Sequence, residues 1–154
     1  MGPGSDATES DIAVAFELGK LVAENNWATL TGGVKTGVMD SALRGAKERD
    51  GFTIGIIPRQ DSEVSDHVDI PIMTDMGSAR NNINVLSSTI IVVIGISPGT
   101  ASEISLALQD RANKHVILLN ATSESITFFK MLRPDRVHVV DSAEEAIKIM
   151  KNLI

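Results

Sequence analysis

The sequence predicts an α/β protein built as a three-layer sandwich, with a mainly parallel sheet between two layers of helices. Strand-like and helix-like apolar patterns alternate along all 154 residues, an order that favours right-handed crossovers between parallel strands. Residues 90–94 are an unbroken β-branched run, Ile-Ile-Val-Val-Ile, which is typical of a strand buried on both faces. A glycine turn and a helical pattern follow this run, as they follow an earlier strand. These observations predict one Rossmann-like domain over residues 1–154.

Four elements are predicted before residue 59. Thr8 and the acids that follow it are typical of a helix start, and Asn25 and Asn26 end the helical apolar spacing. Short β-rich runs then alternate with a second helical pattern, which Gly51 closes. The elements are a helix over 8–26, a strand over 27–31, a helix over 38–46 and a strand over 52–58.

The middle of the chain is less regular. Residues 59–66 are polar and acidic and predict a loop. Pro71 interrupts the strand predicted over 68–73, which places this strand at a sheet edge or in an irregular extension. The helix predicted over 79–87 carries Arg80 and three asparagines. This polar face is either solvated, a subunit contact, or the means by which Arg80 reaches a ligand.

The last third returns to a regular alternation of strands and helices. The helices begin with good cap residues, such as Ser142 before the last amphipathic pattern. The elements are a strand over 90–94, a helix from 101 to 108, a strand over 115–120, a helix over 123–132, a strand over 137–140 and a helix over 142–154.

Composition excludes several classes of function. A net charge of −6, a pI of about 5.0 and 3% aromatic residues argue against nucleic acid as a partner. The absence of cysteine excludes disulfides, thiol catalysis and zinc–thiolate sites. No apolar run approaches the roughly 20 residues of a membrane span, so we expect a cytoplasmic protein without signal peptide or membrane partner. His67, His115 and His138 lack metal-ligand spacing, and no metal site is predicted.

Three glycine turns are predicted at the carboxyl edge of the sheet. A strand that passes through such a turn into a helix points free N–H groups at that edge, where the helix dipole favours anions, phosphate above all. One such turn alone is weak evidence, but three together predict a small phosphorylated ligand held by backbone amides. The turns are Gly2 to Ser5 with Gly4, Gly32 to Gly37 with Gly33, and Gly95 to Thr100 with Ser97, Pro98 and Gly99.

Two charged residues accompany these turns. Arg80 would add a fixed positive charge that grips phosphate through two N–H groups. Glu103 follows Gly99 and Thr100 near the start of a helix, where the dipole alone can stabilise a carboxylate. Beside an anionic ligand, however, a carboxylate is unfavourable unless it binds a hydroxyl or amine, or takes part in chemistry.

These residues resemble the superfamily that includes the cytokinin-activating Lonely Guy phosphoribohydrolases and the molybdenum cofactor carrier proteins. Gly32-Gly33 followed by Gly37-Val38-Met39 resembles the glycine-rich segment of that superfamily. Arg80 matches its helix arginine, and the segment from Gly99 to Glu103 matches its G-T-x-x-E motif. The resemblance covers nearly the whole chain.

The residues around these motifs look more like the carrier branch. The hydrolases carry P-G-G-x-G-T-x-x-E, whereas Ile96-Ser97-Pro98 precedes Gly99 here, and they usually have lysine where this chain has Asn81. The resemblance implies binding of a molybdopterin-type cofactor by a homodimer or homotetramer, with molybdoenzymes as further partners. The predicted cofactor-binding residues are Gly2, Gly4, Ser5, Gly32, Gly33, Gly37, Met39, Arg80, Asn81, Gly95, Ser97, Pro98, Gly99, Thr100 and Glu103.

Two other functions stay open. In a nucleoside 5′-monophosphate phosphoribohydrolase, Arg80 and Glu103 would be the catalytic residues. Arg80 would orient the phosphoribosyl group, and Glu103 would assist cleavage of the N-glycosidic bond. A nucleotide-sensing module without turnover is the third candidate. Backbone amides recognise phosphate and not the ring, so the sequence does not choose between pterin and purine.

The resemblance also implies a central strand that leads into the turn at Gly2 to Ser5. Without it, the backbone groups of two flanking strands would stay unpaired, which is energetically costly. We therefore expect that the natural folding unit is longer than these residues, or that another segment occupies the slot.

Overall fold

Helices and strands alternate along the computed structural model, which describes residues 1–110, 112 and 114–154. The first helix starts with a reciprocal cap, in which the Asp11 amide donates to the Thr8 hydroxyl and the Thr8 amide donates to the Asp11 carboxylate. The elements are α1 (Glu9–Glu24), β1 (Thr29–Thr31), α2 (Gly37–Lys47), β2 (Thr53–Ile57), β3 (Ile70–Met73), a 3₁₀ turn (Gly77–Ala79), α3 (Arg80–Ser87), β4 (Ile91–Ile94), α4 (Pro98–Gln109), β5 (Val116–Leu119), α5 (Ser123–Leu132), β6 (Val137–Val140) and α6 (Ala143–Leu153).

The described strands form two parallel three-stranded sheets, in the orders β1-β2-β3 and β4-β5-β6. In the second sheet Ile91 lies beside Val116, and Val116 beside Val137. The predicted α/β fold class and the parallel direction are confirmed. The sequence predicted a single sheet, whereas β1 and β4 do not pair with each other in the described part of the chain.

Alternate residues of each central strand enter two separate cores. In β5, Ile117 and Leu119 pack with α1, α2 and α6, whereas Val116 and Leu118 pack with α3, α4 and α5. A strand with apolar residues on both faces buries both, because successive side chains point to opposite sides. The two helical layers predicted from the sequence follow from this pattern.

An apolar cavity of about 440 Å³ lies between β1 and β4, with Leu30, Val92 and Leu18 in its wall. At one end the Met1 amino group donates to the Val92 carbonyl oxygen at 2.5 Å, and the Ile94 amide donates to the Met1 carbonyl oxygen at 2.9 Å. Met1 is thus aligned with β4 as in a parallel ladder. The expectation of a longer natural folding unit, or of another segment in this slot, stays a prediction.

The start of α4 differs from the sequence prediction. The helix begins at Pro98 and not at Ala101, so the predicted turn from Gly95 to Thr100 includes the first three helical residues. Proline is well suited to this first position, where its missing N–H costs nothing. None of the described helices is long and apolar enough to cross a bilayer.

Asp69 connects α2 to the start of β2. Its carboxylate accepts hydrogen bonds from the Lys47 ammonium at 2.8 Å and from the Thr53 amide and hydroxyl at 2.9 Å. The Lys47 hydrogen bond is the main cause that holds the pKa of Asp69 below its ordinary value, against the opposing effect of burial. A carboxyl whose pKa is lowered by folding stabilises the protein above its unfolded pKa, and this contribution is lost as the pH falls.

We expect Asp69→Asn to lower the free energy of unfolding by about 0.3–1 kcal/mol at pH 7, because a neutral acceptor replaces an ionised one at an exposed position, where water screens the interaction. Urea denaturation at pH 7, 5 and 3 measures the difference. The difference should shrink as the pH falls below about 4, because the pKa of the folded carboxyl lies below its unfolded value and protonation removes the contribution. A difference that is constant with pH would contradict the assignment.

Candidate functional site

The turns after β1 and β4 meet residues 2–4 around a cavity of about 190 Å³. Gly32, Arg80 and Gly99 all line it, as the sequence predicted. The cavity lies at the carboxyl edge of the strands, where parallel sheets bind ligands. The other predicted residues in its wall are Gly2, Gly4, Met39, Asn81, Ser97, Thr100 and Glu103, and Met1 is an addition that the sequence did not predict.

The remaining predicted residues shape the turns and lie outside this wall; they are Ser5, Gly33, Gly37, Gly95 and Pro98. Gly37 (φ 52°) packs on the backbone of the turn at residues 3–4. Gly95 (φ 66°) packs against the Asp11 carboxylate. A β-carbon at either position would be strained and would collide with these atoms. These glycines therefore bring the turns together and are not themselves in the cavity wall.

The first turn of α4 contributes backbone donors. The Ser97 hydroxyl accepts the Thr100 amide at 3.2 Å and lies 2.8 Å from the Thr100 hydroxyl. The Gly99 amide has no acceptor among the described residues. A helix N-terminus with an unsatisfied amide and a positive dipole end favours an anion at this place.

Arg80 lies against the backbone of Gly32, since a β-carbon at position 32 would overlap the guanidinium group. Burial lowers the pKa of Arg80, and the nearby Glu103 charge partly offsets this effect. The Nε atom is buried without a hydrogen-bond partner. Among the described residues no carboxylate oxygen lies within 4.0 Å of the Arg80 nitrogens. A partly buried cation without a counter-ion is suited to bind an anion.

Helix α3 contacts the first two turns of α4 through two asparagines. The Asn81 amide nitrogen donates to the Ser102 hydroxyl at 2.9 Å, and the Asn84 amide nitrogen donates to Glu103 Oε1 at 2.8 Å. Asn84 is 1% exposed and Glu103 is 7% exposed. These contacts fix the Glu103 carboxylate in the cavity wall relative to Arg80, which precedes Asn84 by one turn on the same helix face.

The sequence assigned no role to Asn84. Its spacing of four residues from Arg80 places both residues on one face of α3. This spacing is the sequence feature that could have indicated a role for Asn84 in the site. Only the packing of α3 on α4 brings it to Glu103. Within the described residues, no group of three or more His, Asp or Glu side chains could hold a metal ion.

Comparison with known proteins identifies the family. The model of the SLOG cluster4 family matches residues 1–147. The chain belongs to the SLOG cluster4 family. It is also 39% identical to an uncharacterized protein of Archaeoglobus fulgidus over 105 residues, which are 68% of this chain and 69% of that protein.

This SLOG cluster4 protein is similar to two solved structures over nearly its whole length. The molybdenum cofactor binding protein of Rippkaea orientalis is 47% identical with a TM-score of 0.95, over 99% of this chain and 93% of that one. The molybdenum cofactor carrier protein of Chlamydomonas reinhardtii is 49% identical with a TM-score of 0.92, over 99% and 94%. The resemblance to the superfamily that includes the carriers is confirmed.

We expect Gly32→Ala to weaken the binding of inorganic pyrophosphate by about 1.5–3 kcal/mol, because the added β-carbon displaces the Arg80 guanidinium. Calorimetric titration measures this. In an Arg80→Ala background the same substitution should cost less than about 0.5 kcal/mol, since the group that it displaces is gone. Additive costs would show that Gly32 acts independently of Arg80.

Proposed function

We propose that this chain binds the molybdenum cofactor, a phosphorylated molybdopterin ligand, and carries or protects it until a molybdoenzyme takes it in the cytoplasm. The observation that carries the proposal is the likeness at 47–49% identity, over 99% of the chain, to solved proteins named for binding or carrying this cofactor. The cofactor is cargo, so the site has to hold it without breaking a bond.

The cavity offers the phosphate of this cargo two kinds of donor. The start of α4 supplies the Gly99 amide and a positive dipole end. Arg80 supplies a fixed charge with several N–H groups. At about 190 Å³, the cavity is smaller than the roughly 300–1,000 Å³ of pockets that enclose a whole small ligand. We infer that the cavity holds only part of the ligand and that the rest extends outside.

Phosphoribohydrolase activity is the second candidate, because Arg80 and Glu103 line the same cavity. Arg80 would orient the phosphoribosyl group, while Glu103 would stabilise the developing positive charge or activate water. Asn81, which stands where the hydrolases usually have lysine, is bonded to Ser102, which favours the carrier function. A nucleotide-sensing module would use the same donors without turnover.

A homo-oligomer is part of this proposal, and the surface of β3 supports it. Ile70, Ile72 and Met73 are 44–48% exposed, and Met76 is 52% exposed. Since β3 is an edge strand of its sheet, it presents apolar side chains beside unpaired backbone groups, a combination that favours association. Met76 precedes Arg80 by four residues, so a second subunit bound to β3 and Met76 would lie near the cavity.

We expect Arg80→Ala to weaken cofactor binding about 10- to 100-fold, the equivalent of a lost charge-assisted contact of about 1.5–3 kcal/mol. Purified protein is incubated with released cofactor, and bound molybdenum and pterin are both quantified. Arg49→Ala is the matched control: its partner is the exposed Glu24, so it removes the same charge outside the cavity and should bind as the wild type does.

The same preparations are tested for release of base from adenosine monophosphate. The carrier function predicts none. Robust release by the wild type that is abolished by Glu103→Gln would overturn the carrier function and establish the hydrolase. A wild type that retains neither molybdenum nor pterin would also overturn it.

We expect Ile72→Lys to convert the oligomer to a monomer, because a buried lysine at an apolar interface is strongly disfavoured. Light scattering after size-exclusion chromatography measures the mass. Ile154→Lys is the control, since Ile154 is 68% exposed at the end of α6 and not on β3. A monomeric wild type would contradict the proposed assembly.

A further inference from the structure

Glu103 is a carboxylate in the wall of a cavity that otherwise presents donors and a positive charge. At 7% exposure it is largely removed from water, and it makes no ion pair within 4.0 Å with Arg80. An ionised carboxylate in such a place repels a phosphate. The nearby charge of Arg80 offsets part of this repulsion, and hydrogen-bond donors on the ligand would offset more of it.

Asn84 holds one oxygen of this carboxylate. Its amide nitrogen donates to Oε1 at 2.8 Å, while its own Oδ1 is buried without a partner. The reverse orientation of the amide would place Oδ1 against an acceptor-only carboxylate, which is repulsive. The side-chain amide of Asn84 is therefore oriented by its hydrogen bond to Glu103, although this orientation leaves its own Oδ1 without a hydrogen bond. Oε2 accepts no hydrogen bond from any described residue, and it is free to accept one from a ligand.

Glu103 follows Gly99 by four residues along α4, which is about 6 Å of helical rise. The backbones of Gly99 and Glu103 are therefore about one helical turn apart along α4. A ligand with negative charge at one end and N–H donors at the other satisfies both parts of the cavity.

We infer that Glu103, positioned by Asn84, accepts hydrogen bonds from two adjacent N–H donors on the ligand ring, the amino-pyrimidinone edge that pterins and guanine share. A carboxylate matches two neighbouring donors with its two oxygens. Adenine presents a ring acceptor beside its amino group, and this acceptor repels a carboxylate. The inference rests on the proposed function and adds ring selectivity to it.

The test uses calorimetric titration of the full chain with five probes: guanosine, 2′-deoxyguanosine, inosine and adenosine monophosphate, and inorganic phosphate. Wild-type protein should bind guanosine monophosphate at least about 10-fold more tightly than adenosine monophosphate, with inosine monophosphate, which lacks the amino group, between them. Glu103→Gln should weaken the binding of guanosine monophosphate about 10- to 100-fold. It should leave the affinity for inorganic phosphate unchanged or higher, because it removes a negative charge.

Asn84→Ala and Asn81→Ala form a matched pair. Both asparagines lie on the same side of α3 and donate to α4, but only Asn84 contacts Glu103. Asn84→Ala should bring the ratio of guanosine to adenosine affinity towards one. Asn81→Ala should change all affinities by a similar factor and leave that ratio as in the wild type. If both variants lose the preference for guanosine over adenosine monophosphate to the same extent, the asparagines only hold the helices together. That result would overturn the positioning role of Asn84.

Three outcomes separate this inference from the proposed function. Equal affinity for guanosine and adenosine monophosphate in a wild type that binds the molybdenum cofactor overturns the ring selectivity alone. Weaker binding of 2′-deoxyguanosine monophosphate by about 10-fold assigns the carboxylate to the ribose, and likewise overturns it. A wild type that binds none of the probes and no cofactor overturns the proposed function as well.

A competition titration tests whether guanosine monophosphate and the molybdenum cofactor bind at the same site. The cofactor should displace guanosine monophosphate from the wild type, and Glu103→Gln should weaken the binding of both ligands. If Asn84→Ala does not fold, Glu103→Gln carries the test, since it keeps the size of the side chain and its contact with Asn84. Unchanged selectivity in Glu103→Gln overturns the inference.

Discussion

The site depends on the contact between α3 and the first two turns of α4. Asn81 and Asn84 donate across it to Ser102 and Glu103, and the same face of α3 places Arg80 against Gly32. Helix α3 follows the sheet β1-β2-β3 along the chain and packs on a helix of the sheet β4-β5-β6. This short helix therefore connects the first sheet to the second, as do α1 and α2, which pack on β5.

Charge is distributed unevenly in this protein. The chain as a whole carries a net charge of −6. Among the described residues, however, the cavity holds a partly buried arginine with no carboxylate oxygen within 4.0 Å and a helix start with an unsatisfied amide. Desolvated donors that are already in position bind an anion without reorganisation, which is why such an arrangement is effective. The overall acidity does not favour a nucleic-acid partner, whereas the local donors and positive charge suit the small phosphorylated ligand proposed above.

The same pair of residues suits two different functions. Arginine and glutamate in one cavity can orient a phosphoribosyl group and stabilise a positive charge, or they can hold the two ends of a cargo. Fold alone does not choose between these. The choice depends on the surrounding contacts, here the engagement of Asn81 with Ser102 and of Asn84 with Glu103, which use the polar face of α3 to hold α4.

The sequence by itself determined the alternation of parallel strands and helices, the glycine turns, and Arg80 and Glu103 as the charged members of the site. These features follow from local periodicity and short motifs, which act within a few residues. Tertiary structure alone decided that Asn84 donates a hydrogen bond to Glu103, since the two are separated by 19 residues. It also decided that Arg80 lies against Gly32, that Gly37 and Gly95 lie outside the cavity wall, and that β1 and β4 do not pair in the described chain. Such long-range contacts depend on how helices pack, and no local pattern in the sequence encodes them.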